Sequence, residues 1–366
     1  MEMRLSIFIA LVIFLFNFLL LFIGSFTKRK VSKNLLFCIA ISNILAFSLI
    51  GYKIYPSKST DLYKHVLTVI SMINGGFFTN TAVDNLITIK IIFYLISLTG
   101  NVRLIPVVSA VITYSTFYFL LSRENDEKHF SIFLLLYSII SFYALCSNYY
   151  VFTGIKTSIS FSFLNLFIYN YNKNNKKASY LFAVLSIFSH ASSFIFIVLF
   201  ILFKKNKTQS RIFWIFMALP IVYRLLFVIL PMINIPFVSY LWSKIQMYSA
   251  DDFISSKIEI FIIDLLYCIF LYFRYNFSLK HCDNKERTDE IIILKYYCLF
   301  ILLSSIISKI MIERGLILLS FLNFKNIIEE KKHNRFHLII FLIDIIYFTL
   351  KIYYFVVRLL SHAIFY

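Results

Sequence analysis

Hydrophobic residues fall along the chain in long blocks separated by short basic stretches. The blocks cover 5–26, 34–52, 103–122, 130–150, 153–171, 211–232, 257–275, 290–309, 312–328 and 336–356. They approach or exceed the length a helix needs to cross a hydrocarbon core of ~30 Å. Their apolar runs are continuous, not alternating, which argues against a transmembrane β-barrel. In lipid a chain must satisfy its own backbone polar groups, so the blocks predict helices. A further apolar stretch, 178–203, is interrupted by Ser189-His190-Ala191-Ser192-Ser193. As one helix it would be ~39 Å long, which a tilted span tolerates. Both flanks are basic, however: Lys176 and Lys177 before it, and Lys204, Lys205, Lys207 and Arg211 after it. Two cytoplasmic flanks favour a short helical hairpin with His190 at its outer turn.

Residues 53–102 break the pattern. The part from Ala82 to Leu98 is apolar but short, with Lys90 in its middle, and a lysine at bilayer depth costs roughly 2.5–3.5 kcal/mol on insertion scales. This region is expected to be an outer loop with a helix lying on the surface. Loop charges set the orientation. Lys28, Arg29, Lys30 and Lys33 follow the first block, which places that loop in the cytoplasm and the N-terminus outside. If 83–98 does not cross, the loops at Arg123–Lys128 and at Lys173–Lys177 are cytoplasmic too; if it crosses, the second of these moves outside. The later basic loops at Arg274–Arg287 and Lys325–Arg335 fall on the cytoplasmic side, 233–256 forms another outer loop, and the chain ends outside. The first block is too long for a signal-peptide core and is followed by no small-residue cleavage site. The expectation is an all-α polytopic membrane protein, one transmembrane domain over 1–366, with about 11–12 membrane segments including the hairpin helices.

Composition agrees. Of 366 residues, 60% are hydrophobic and 15% charged, against about 25% charged in soluble domains, and the mean hydropathy is +0.81. The net charge of +18 sits in short loops between apolar blocks, which reads as the positive-inside rule and not as a nucleic-acid surface. Cys38, Cys146, Cys268 and Cys298 lie in apolar blocks and Cys282 in a basic loop, with neither a disulfide framework nor metal-ligand spacing. P-loop, GxGxxG, GxSxG, HExxH and paired CxxC motifs are absent from the sequence. That argues against ATP-driven transport by this chain alone and against a cytosolic sugar-nucleotide transferase.

Polar residues collect on the outer side of this topology: Asp61, Tyr63 and His65; Gly154, Lys156 and Thr157; His190; Tyr248 and Asp251; and Arg314 after Glu313. Ionisable groups at membrane depth are costly and mark functional cavities. Each also has a structural reading. Lys156 could snorkel to the interface, His190 could bond a turn carbonyl, and Arg314 could be an interfacial anchor. Asp61 and His65 could be solvated loop residues, and Asp251-Asp252 reads as a helix start before a metal site. Asp264 and Asp344 lie mid-block and are expected to pair with a basic or hydroxyl neighbour.

The order of short motifs is informative. Ser59-Thr60-Asp61-Leu62-Tyr63 follows the second block, and Asp84 introduces the surface helix. Thr153-Gly154-Ile155-Lys156-Thr157-Ser158 opens a block, and Phe188-Ser189-His190-Ala191-Ser192-Ser193 stands about thirty residues on. Over roughly 30–320 this order resembles the EpsG family of Wzy-like polymerases of exopolysaccharide, capsule and O-antigen synthesis. Two positions depart from the family pattern: Lys156 stands where Arg is usual, and Asp84-Asn85 where Glu-Pro is usual. The resemblance implies a GT-C-like membrane fold in the bacterial cytoplasmic (inner) membrane. It implies transfer of a glycan from undecaprenyl pyrophosphate to a lipid-linked repeat unit on the outer leaflet. The implied partners are that lipid-linked oligosaccharide, the bilayer, and a chain-length regulator and flippase of the same pathway; no cofactor and no nucleic acid are implied. A leaving pyrophosphate needs cations, for which Lys156 and Arg314 are candidates. An acceptor hydroxyl needs a base, with His190 first and Asp61 second. Tyr63 and Tyr248 could stack on sugars. A lipid-linked oligosaccharide flippase or transporter, a membrane glycan acyltransferase with His190 as base, and an O-antigen ligase remain alternatives.

Overall fold

The computed structural model describes residues 2–27, 30–54, 56, 60–81, 83–204, 214–215, 217–218, 220–222, 258–282, 285–305, 309–330 and 334–358. Tyr248, Asp251, Asp252, the loop 233–256 and most of the block 211–232 therefore lie outside the described residues. Among the described residues the protein is all-α, with one isolated antiparallel bridge, Lys30 to Ser131, and no strand. The helices are α1 (Glu2–Ser25), α2 (Lys33–Lys53), α3 (Asp61–Gly75), α4 (Ile87–Ser97), α5 (Leu104–Lys128), α6 (Ile132–Leu145), α7 (Asn148–Thr153), α8 (Ile155–Asn172), α9 (Lys176–Ile187), α10 (Ser192–Lys204), α11 (Ile258–Lys280), α12 (Lys285–Ser304), α13 (Lys309–Ser320), α14 (Asn323–Glu330) and α15 (Asn334–Arg358). By length and composition α1, α2, α5 and α15 can each cross a membrane: this is a polytopic all-α membrane protein. The chain divides into two compact units, Met1–Phe194 with Arg335–Tyr366, and Ile195–Asn334.

The first unit is built around α6, which is buried throughout except at Phe133. The apolar block 130–150 predicted a full span, but α6 has only 14 residues, or ~21 Å, before the chain turns at Cys146-Ser147 into α7. A helix walled in by other helices meets protein and not lipid, so its length need not match the bilayer. Ser131 caps α6 by accepting the N–H of Leu134. Rings of Phe14, Phe47, Tyr114, Phe142 and Tyr143 meet edge-on, tilted and stacked in the core, contacts worth about 0.5–1.5 kcal/mol each beyond area burial. Polar groups follow a different rule, because inside such a bundle they must find each other. Asn17 Nδ2 donates to Ser42 Oγ and Asn43 Oδ1, and Asn43 Nδ2 donates to the Tyr118 hydroxyl at 2.6 Å, tying α1, α2 and α5 together. Asp344 on α15 is fully buried and accepts from the Tyr137 hydroxyl at 2.7 Å, one of the two kinds of partner, basic or hydroxyl, expected for it.

One end of this unit is charged. Lys33 lies 3.1 Å from Asp126, Lys173 pairs with Glu127, and the N–H of Val31 donates to the carbonyl of Phe130. The loops after α1, α5 and α8 thus meet at one end. α2 leaves that end and α5 returns to it, so the segment that holds α3 and α4 starts and finishes at the other end. α4 has 11 residues, or ~17 Å, against a hydrocarbon core of ~30 Å. The sequence pattern predicted one helix here, and the structure has two. α3 escaped notice because Lys64, His65 and Thr68 dilute its apolar stripe. It nevertheless buries Leu62, His65, Thr68, Val69 and Met72 along one face.

In the second unit α11, α12, α13 and α14 pack on one another. A Cβ on Gly315 would come within 2.6 Å of Ile301 Cγ1, so α13 sits directly against α12 as small residues permit. The block 312–328, expected as one span, is broken at Phe321-Leu322. Beyond the break, Asn323 Oδ1 accepts from the Tyr275 hydroxyl at 2.9 Å, and Lys325 forms a nearly buried ion pair with Glu290. These polar partners fix α14 as a separate helix.

Candidate functional site

Two helix breaks position the candidate residues. The first lies between α7 and α8. The N–H of Gly154 donates to Tyr150 O at 2.8 Å, and the chain starts α8 at the next residue. A Cβ on Gly154 would stand 3.1 Å from Tyr150 Cδ1 and 3.2 Å from Tyr150 O, so this tight return favours glycine. Around it, Ser109 Oγ donates to Val151 O, the Tyr114 hydroxyl donates to Asn148 Oδ1, and Ser158 Oγ donates to Tyr150 O. No side chain caps the first turn of α8. The first N–H groups of a helix lack intrahelical acceptors and carry the positive end of its dipole. Lys156, half-buried, is the second residue of that turn. A backbone dipole and an ammonium therefore coincide, which is chemistry suited to an anion.

The second break lies between α9 and α10, at 188–191. His190 stands in it, half-buried. The N–H of Ser192 donates to His190 Nδ1 at 3.3 Å, and Ser192 Oγ lies 2.7 Å from the same nitrogen. One ring nitrogen is thus occupied at the start of α10. While Nδ1 accepts from the Ser192 N–H, the neutral ring carries its proton on Nε2; only if that bond is given up can Nδ1–H donate to the Ser192 hydroxyl and leave Nε2 bare.

A hydrogen-bonded clasp relates the two breaks. Ser160 Oγ donates to Ser186 O at 2.9 Å, and Ser186 Oγ donates to Ser160 O at 2.8 Å. α8 and α9 run antiparallel around the turn at Lys173–Asn175, where Asn174 takes a left-handed conformation. Lys156 precedes Ser160 by one helical turn; His190 follows Ser186 by one, its N–H donating to Ser186 O at 3.1 Å. Both residues consequently lie one turn beyond the clasp, at the same end of the helix pair. That end is opposite the charged one.

α3 packs against α5 and α7 and so joins the wall of this end. Asp61 opens α3, 3.9 Å from Lys64, a position that complements the helix dipole; Tyr63 follows it, half-buried. His65 is not the solvated loop residue of its structural reading: it is buried, with its ring 5.3 Å from that of Phe93. Asp84 is absorbed by structure. It accepts from the N–H and hydroxyl of Thr81 and from Lys90 Nζ at 2.8 Å. These bonds, that from Lys90 foremost, hold its carboxyl down at about 2. Lys90, also 5.1 Å from the Phe77 ring centre, thereby escapes the cost of an unpaired charge. Arg314 lies on α13 of the second unit, half-buried beside buried Glu313. Among the described residues no three His, Cys, Asp or Glu side chains converge on a metal position.

Sequence reasoning missed the Ser160–Ser186 clasp and Ser192. The signal for the clasp was present: the two serines are equidistant from Lys173, in apolar stretches either side of a polar turn.

No curated protein and no solved structure matches the chain. A family match covers residues 89–365; it includes Lys156, His190, Tyr248 and Arg314 and begins beyond Asp61, Tyr63 and Asp84. That match spans well over half of the sequence, and with the all-α membrane architecture it places this chain in the EpsG family.

Proposed function

We propose that this protein is a polysaccharide polymerase of the bacterial cytoplasmic membrane, with a GT-C-like helix arrangement. It transfers a growing glycan from undecaprenyl pyrophosphate to the sugar hydroxyl of a lipid-linked repeat unit on the outer leaflet. EpsG-family membership supports a membrane protein of polysaccharide synthesis with polymerase-like character. The observation that carries the specific reading is the register of the clasp, which sets Lys156 and His190 at one end of α8 and α9, away from the basic loops.

In this reaction the acceptor oxygen forms a bond to the anomeric carbon as the bond to the pyrophosphate oxygen breaks. The leaving pyrophosphate gathers negative charge, which Lys156 and the uncapped start of α8 stabilise. Lys meets phosphate as a point charge, where Arg would grip it bidentately. The proton of the acceptor hydroxyl passes to His190 Nε2 in the Nδ1–H tautomer, in which Nδ1 gives up the bond from the Ser192 N–H and donates to the Ser192 hydroxyl; the imidazolium so formed keeps that bond. Asp61 is the second base and Tyr63 is placed to stack on the sugars. A flippase and a chain-length regulator of the same pathway complete the setting.

The test is the glycan profile of a deletion strain, by gel and by mass of lipid-linked species, with accessibility labelling of the outer leaflet. Single repeat units on the outer leaflet with long chains missing are expected. Single units held on the inner leaflet would identify a flippase instead.

A further inference from the structure

At the end opposite Lys156 and His190, a groove opens on the first unit between α2 and α5, with a cavity volume of about 480 Å³. It runs from Lys33 and Ser122 at the charged end to Ile44 and Ser115 within the bundle. Its floor is Leu36, Ala40 and Tyr118, all buried; its rim is Phe37 and Phe119, 65% and 39% exposed. The eleven-residue step from Lys33 to Ile44 makes it ~16 Å long, close to one leaflet of a core ~30 Å thick. Two cations flank the mouth. Lys33 has a side chain 78% exposed, and the Arg123 guanidinium lies 5.2 Å from the Phe119 ring centre. Asp126, 3.1 Å from Lys33, offsets one of these charges.

The interior is lined with aliphatic and aromatic side chains, so its occupant carries an apolar chain one leaflet long; the mouth calls for an anionic head. We propose that the groove binds an anionic phospholipid of the leaflet on the basic side, with one acyl chain along Phe37, Ala40 and Phe119 and the headgroup phosphate between Lys33 and Arg123. Basic groups at a membrane surface attract such lipids with about 1 kcal/mol per residue, a fivefold preference. The groove opens at the opposite end of the first unit from the proposed glycan site, so the inference does not depend on the polymerase reading.

The experiment uses the full chain with Phe37→Trp in nanodiscs of phosphatidylcholine. Fluorescence quenching is followed as acyl-brominated phosphatidylglycerol, or acyl-brominated phosphatidylcholine, is added, and the signal of the parent chain with Trp214 and Trp242 is subtracted. Quenching by the anionic lipid is expected at roughly fivefold lower mole fraction, and Lys33→Glu should abolish that preference. If Phe37→Trp does not fold, phosphatidylglycerol retained by the unaltered chain and by Lys33→Glu is counted by native mass spectrometry, with loss in the variant expected. Equal quenching by the two lipids, or retention unchanged by Lys33→Glu, overturns the proposal and leaves ordinary annular lipid.

Discussion

The two helix breaks at the end of the first unit away from the basic loops differ in construction. At Gly154 the chain folds back on Tyr150 and leaves the start of α8 without a side-chain cap. At 188–191 the start of α10 is served by His190 itself, through Nδ1. One break offers backbone dipole and a lysine; the other uses half of its histidine to hold the chain. An uncapped helix start can serve an anion, whereas a histidine with one nitrogen fixed presents the other in a defined direction. The same local device, an interrupted helix, is thus built in two different ways.

The largest effect expected is at His190. His190→Ala removes both nitrogens and should lower polymerisation by about 10²–10⁴-fold. His190→Asn keeps an oxygen able to accept from the Ser192 N–H, so it should restore protein abundance without restoring polymer. Gel analysis of chain length beside an immunoblot separates the two, and normal polymer from His190→Asn would reduce the residue to a helix cap. Next is Lys156. Lys156→Ala should cost on the order of 10²-fold in turnover if the position stabilises pyrophosphate, and Lys156→Arg should retain more. Equal activity of the two variants in a membrane polymerisation assay would favour simple snorkelling.

The clasp gives a smaller effect. Ser160→Ala and Ser186→Ala should each destabilise by about 0.5–1.5 kcal/mol, with the double variant losing less than the sum; thermal unfolding of the purified protein in detergent measures this. Fully additive losses would mean the two serines do not act as one unit. The smallest effect concerns the surface loop. The carboxyl of Asp84 is lowered from 3.8 to about 2 in the folded chain, so its bonds to Lys90 and Thr81 contribute fully above pH ~4 and fade as pH falls through about 2. Proteolysis between α3 and α4 should therefore be flat from neutral pH to about 4 in wild type, and faster throughout that range in Asp84→Asn.

What could be read in advance divides along physical lines. The all-α membrane class and the interruption of the 178–203 stretch at His190 followed from the sequence, as did a basic or hydroxyl neighbour for Asp344, which the structure gives as Tyr137. Apolar run length, loop charge and the cost of burying an ion act locally. The same reasoning overextended α6 and joined α13 to α14, because an apolar run does not reveal whether it faces lipid or protein. It missed α3, whose buried face includes His65 and Thr68. It offered Asp61, Tyr63, Lys156, His190 and Arg314 as one outer cluster. The structure relates Lys156 to His190 through Ser160 and Ser186, and assigns Arg314 to the second unit.

By itself the sequence determined that this chain is helical and which loops carry the positive charge, since the bilayer imposes both residue by residue. Only the tertiary structure decided which partners the polar side chains take. Asp84 went to Lys90, Asp344 to Tyr137, and one nitrogen of His190 to Ser192. A hydrogen bond between distant residues depends on helix register and burial, and neither is written in any short stretch of the chain.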